Sequence, residues 1–144
     1  MALYSLSRRI TIFTVSAASA ELRTSSTDRV RLLHFSCGAN TGVATGYCFG
    51  LGRPAAIGVT PTTPVTFLAD NPDSPAATAT LTTAGWGTAP TAPANFFRRF
   101  FNNSRGAMGF FTFPQGLAVD VSASLVLWNI LAADIIDTSW TVDE

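Results

Sequence analysis

Residues 7–20 read SRRITIFTVSAASA, and the fold turns on whether this stretch is a helical export leader or part of the folded chain. Two arginines precede an apolar run, and Ala18-Ser19-Ala20 has the small-x-small form of a processing site. The run itself points the other way. A leader core is leucine-rich and helical, whereas Ile10, Thr11, Ile12, Thr14 and Val15 are β-branched, stiff at χ1 and suited to an extended backbone. Ala2, Leu3, Tyr4 and Leu6 also dilute the charged opening that an export signal carries. This reading predicts a strand over 10–17, with residues 1–9 as an N-terminal arm and residues 10–144 as one β-sandwich domain.

The same texture continues along the chain. Segments rich in Ile, Val, Thr and Phe recur between Gly, Pro, Asn and Ser clusters, and no stretch repeats an apolar residue at helical spacing for three turns. Strands are predicted at 10–17, 20–24, 30–37, 45–50, 54–58, 64–68, 77–82, 95–101, 108–113, 117–121, 124–132 and 138–143. DNPDSP at 70–75 and GWGTAPTAP at 85–93 read as surface loops, because proline and glycine fix turns and do not sit in central strands. The expected class is all-β, a single-domain antiparallel sandwich of jelly-roll type.

Composition narrows function. Of 144 residues, 47% are hydrophobic and 12% charged, about half the usual charged share. So few charges leave apolar surface facing water unless a partner covers it, so an oligomer is expected. All nine basic residues are arginine and nine acids balance them. That balance, with only the doublets Arg8-Arg9 and Arg98-Arg99, supplies no basic footprint for nucleic acid. Without lysine there is neither a P-loop nor a Schiff-base nucleophile. No run of 18 apolar residues exists to span a membrane as a helix, and no membrane partner is expected.

Catalytic patterns are scarce. The one histidine, His34, lies in the strand-like VRLLHFSC with no acid or nucleophile beside it, and reads as structural. One His with two Cys eleven apart matches no zinc spacing, so no metal or cofactor is expected. Cys37 and Cys48 flank GANTGVATGY; a hairpin centred near Gly42 would set them opposite each other, as a disulfide or as two buried thiols. DTS at 137–139 lacks the glycine of an aspartic-protease turn, and NNS at 102–104 is a glycosylation sequon only in a secreted eukaryotic chain. No enzymatic activity is expected.

Two segments point to contacts instead. In SLVLWNILAAD at 124–134, Leu125, Leu127 and Leu131 face one way and Val126, Trp128 and Ile130 the other, so both faces of the strand are apolar. The outer face then needs a cover, either a neighbouring subunit or a loop of the same chain. In NFFRRFF at 95–101 each face of a strand carries Phe, Arg, Phe, which places Arg98 and Arg99 either at a subunit contact or on a solvated edge. Val126, Trp128, Ile130, Arg98 and Arg99 are the candidate subunit interface.

The succession RPAAIG (53–58), ATATLTTAGWGTAPTAP (77–93), FFRRFF (96–101), FTFPQGLAV (111–119), SLVLWNI (124–130) and SWTVDE (139–144) resembles small virion proteins of tailed bacteriophages, the capsid cement or decoration proteins. The resemblance covers roughly residues 50 to 144 and none of its motifs is catalytic. It implies a jelly-roll-like sandwich, assembling as a homotrimer, made in the host bacterial cytoplasm and sited on the capsid surface of the virion, where it bridges major capsid protein subunits. The alternative is a receptor- or carbohydrate-binding module of a phage tail or head fibre, with Trp86, Trp128 or Trp140 stacking on sugar rings.

Overall fold

The computed structural model describes residues 2–10, 14–40, 46–102, 108–131 and 135–144. In chain order the strands are β1 (Leu3–Ile10), β2 (Ala17–Arg23), β3 (Val30–Ala39), β4 (Tyr47–Pro54), β5 (Val65–Thr66), β6 (Leu68–Ala69), β7 (Thr80–Thr82), β8 (Pro93–Asn102), β9 (Met108–Val119), β10 (Ser124–Leu131) and β11 (Ile136–Asp143). They form two sheets: sheet A runs β6-β1-β11-β3-β9 and sheet B runs β5-β7-β2-β10-β4-β8. The long strands pair in reverse order, β1 with β11, β2 with β10, β3 with β9 and β4 with β8, all antiparallel. The chain is therefore one long two-stranded ribbon that passes alternately between the sheets. β11–β3 and β10–β4 pairing then closes the wrapped ribbon on itself. This is a jelly roll.

Period-two patterning fills the interior. β1 turns Tyr4, Leu6 and Ile10 inward, β11 turns Ile136, Thr138, Trp140 and Val142 inward, and Leu22, Leu125, Leu127, Phe49 and Leu51 meet them from sheet B. Trp140 is fully buried, its ring 4.5 Å from that of Phe35 and tilted by 54°. Its indole N–H donates to Thr138 Oγ1 at 3.1 Å, so the largest core side chain leaves no unpaired donor.

Several expectations are corrected. The arm predicted over residues 1–9 is in fact β1 from Leu3 onward, in register with β11 from Leu3–Asp143 to Ile10–Ile136. The reason is alternation: Tyr4, Leu6 and Ile10 lie on one face of an extended chain and Ser5, Ser7 and Arg9 on the other. The strand predicted at 10–17 is not continuous. Residues 11–13 lie outside the described residues; Ser16 adopts a left-handed φ of 58° in a turn, and β2 begins at Ala17. Strands predicted at 108–113 and 117–121 are one strand, β9, with an irregularity opposite Leu32 and His34 that Gly116 accommodates with φ 69°. Residues 54–58 form no separate strand; β4 ends at Pro54, and the neighbouring Val59 makes an isolated bridge to Thr88.

Nor is the expected hairpin around Gly42 formed as a pair: residues 41–45 lie outside the described residues, while β3 belongs to sheet A and β4 to sheet B. Cys37 and Cys48 are accordingly two buried free thiols.

Candidate functional site

β10 shows how the doubly apolar strand is covered. Leu125 and Leu127 enter the core, while Val126 on the outer face is also completely buried. Opposite Val126 in the register stands Glu21 of β2. Glu21 Oε1 accepts the Gly58 N–H at 2.9 Å and Oε2 accepts the Trp86 indole N–H at 2.8 Å. Gly87 N–H to the Val59 carbonyl (2.9 Å) and Thr62 N–H to the Gly85 carbonyl (2.9 Å) join the two loops into one flap over sheet B. Only glycine fits at 58, because a Cβ there would run into the Trp86 ring and lie 2.6 Å from Glu21 Oε2. The cover over Val126 is thus a loop of the same chain.

Further along β10, Trp128 and Ile130 are half-buried and Leu131 is exposed. Trp128 stands beside Gly50 of β4, whose missing side chain leaves the space that the Phe96 ring fills. Asn129, the one polar interruption, turns inward: its Nδ2 donates to the Thr14 carbonyl at 3.0 Å and its backbone carbonyl accepts the Ser16 N–H at 2.9 Å, pinning the corner before β2.

The exposed apolar surface lies elsewhere. β8 and β9, of 10 and 12 residues, are the edge strands of the two sheets and flank the same side of the sandwich. Phe100 bridges them, since a Cβ at Gly109 would sit 2.6 Å from its ring. The Arg98 guanidinium lies 5.2 Å from the centroid of the Phe113 ring, at the mouth of a cleft of about 340 Å³ lined also by Pro114, Gln115, Gly116 and Leu117. On the same two strands Phe101, 63% exposed, stands on the outer face of sheet B with Arg99, while Met108 and Phe110, 66% and 68% exposed, stand on the outer face of sheet A. Arg98 Nη1 donates to the Phe97 carbonyl at 2.8 Å and Arg99 Nη2 reaches Cys48 Sγ at 3.8 Å. Among the described residues neither arginine forms an ion pair; those formed are Arg9–Asp137 and Arg29–Asp120.

Of the five interface candidates, then, Val126 is sealed inside the chain, Trp128 and Ile130 are partly covered, and Arg98 and Arg99 stand exposed on the β8 edge. Sequence reasoning missed Met108 and Phe110, because a strand written MGFFTF gives no sign of which sheet edge it occupies. It also missed Glu21, whose partners lie 37 and 65 residues away.

The outer face of sheet A is polar along β1 and β11. Arg9 grips Asp137 with two hydrogen bonds, of 2.8 and 3.0 Å, and this hydrogen bonding holds the Asp137 carboxyl below the usual carboxylate range. Ser7 and Ser139 lie 2.7 Å apart, and His34 stacks beside Phe110 with ring centroids at 6.0 Å. Burial pushes the Cys37 thiol up to about 12, which keeps it protonated and unreactive at neutral pH. Among the described residues no group of three His, Cys, Asp or Glu side chains is placed to hold a metal. No family model, curated protein or solved structure matches the chain.

Proposed function

We propose that the chain is a structural virion protein that binds the outside of an icosahedral phage capsid as a homo-oligomer, three copies by the resemblance above, and stabilises the shell by bridging major capsid subunits. The observation that carries this reading is the β8/β9 side, where two long edge strands present Phe101, Met108 and Phe110 to water. Apolar edges of this kind are surfaces that a protein partner covers. Binding to the closed shell but not to an opened one adds its free energy to the barrier against rupture, and several contacts per oligomer combine through effective concentration.

Purified heads with and without the protein test this. Heads lacking it should keep their geometry yet release DNA at lower temperature, added protein should restore resistance, and a Phe101→Ser/Phe110→Ser variant should not. Equal resistance with and without the protein would sink the proposal.

A second reading is a saccharide-binding module. The exposed Phe110–His34 pair on the hydroxyl-lined face of sheet A favours it. Trp140, being fully buried, takes no part. Glycan binding that Phe110→Ser abolishes would favour this reading.

A further inference from the structure

We infer that copies of this chain associate head to tail, the β8/β9 side of one docking on the β5/β6 side of the next. The inference rests on the proposed self-association and names its contact. Strand order places the two sides at opposite ends of both sheets: β9 and β8 at one, β6 and β5 at the other. Each carries exposed apolar side chains beside charge of a single sign. The first has Arg98 and Arg99, flanked by Phe101 on the sheet B face and by Met108 and Phe110 on the sheet A face; the second has Leu68, 70% exposed, with Asp70 and Asp73.

Among the described residues, Arg98 and Arg99 form no ion pair, and neither do the exposed Asp70 and Asp73. Like-sided contacts would bring arginine against arginine or aspartate against aspartate, whereas the head-to-tail contact pairs opposite charges. A net charge of zero adds no long-range self-repulsion. The edges also differ in how they are protected. In β9 the segment with Pro114 and the left-handed Gly116 is broken by an irregularity, while 108–112 pairs regularly with β3 and carries no charge. The unprotected part of the edge is where Met108 and Phe110 sit. A heterologous contact of this kind closes into a ring where its rotation permits and otherwise extends as a filament.

Charge reversal in the purified protein tests the contact without any capsid. Light scattering should give a closed oligomer of three or more copies for the native chain. Arg98→Glu/Arg99→Glu and Asp70→Arg/Asp73→Arg should each dissociate it by at least tenfold in apparent Kd, and the fourfold swap should reassemble it. A like-sided contact would be indifferent to reversing both its own charges, so unchanged assembly of either double variant overturns the inference. So does a native monomer or a two-fold dimer.

All four positions are exposed, and circular dichroism should confirm folding. As a second readout, Asp73→Cys and Arg99→Cys chains mixed together should form a mixed disulfide far faster than either alone; equal rates would also overturn it. A native ring that does not protect heads would sink the capsid reading and leave the contact standing. Protection by an oligomer built through another surface would do the reverse.

Discussion

Trp86 donates its indole N–H to Glu21 at 2.8 Å across 65 residues of chain, and this bond fastens a flap over the outer face of sheet B. The carboxylate is fully buried and its other oxygen is taken by Gly58 N–H. Trp86→Phe would leave Oε2 without a donor in a dry site, which costs about 1–3 kcal/mol. Chemical denaturation should show that loss. Stability equal to the native chain would mean that water reaches the flap.

Val126 should behave as core. Val126→Ala should cost about 2 kcal/mol of folding stability and leave the proposed self-association unchanged, because the residue is covered by its own chain. Dissociation at unchanged stability would place Val126 in a subunit contact instead.

The Gly109–Phe100 contact should be a lock between the two edge strands. A methyl added at 109 meets the Phe100 ring at 2.6 Å, so Gly109→Ala should destabilise by about 1–3 kcal/mol. Phe100→Leu should recover part of that loss in the double variant. Simple additivity of the two changes, measured by urea titration, would disprove direct packing.

Acid should weaken the fold through three carboxylates. Asp137 is held low by its hydrogen bonds from Arg9, Asp120 by the Val121 N–H and then Arg29, and Asp28 by Thr27 and Ser25. A carboxyl whose folded pKa is depressed contributes stability above its ordinary value, about 3.9, and loses it as pH falls through the lower folded value. Melting temperature should therefore drop below about pH 4, and Asp137→Asn should flatten part of that drop. A profile unchanged by the substitution would show that the Arg9 pair is not linked to folding.

Alkali should act through Cys37. Its thiol, pushed up to about 12 by burial, stays protonated in the folded chain while the unfolded chain ionises near 8.5. Through this group stability should fall as pH rises between those values, and Cys37→Ala should lessen the alkaline loss by the Cys37 share. In the folded protein at pH 8, Cys37 should resist a thiol reagent that labels it after unfolding; rapid labelling would contradict its burial.

Much of the fold was legible because a strand writes its two faces into alternate residues. The span 30–37 coincides with most of β3 and 138–143 with most of β11, where Thr138, Trp140 and Val142 alternate inward; Ile136 continues that alternation two residues before the predicted start. The same alternation in Tyr4, Leu6 and Ile10 was readable but overshadowed by the β-branched run after it. Arg98 and Arg99 were found because a paired charge inside NFFRRFF has to reach water or a partner. Trp128 was harder, since a strand apolar on both faces says that something covers it and not what.

By itself, then, the sequence determined the β class, the single core and the low charge, since these are properties of local alternation and of composition. Tertiary structure alone decided which strands became edges. Pairing β1–β4 against β8–β11 in reverse order leaves β8 and β9 exposed on one side, and it brings Glu21 beneath Trp86 to seal Val126. The physical reason is that edges and covers depend on contacts between residues far apart in the chain, and no local pattern encodes which distant segment will arrive.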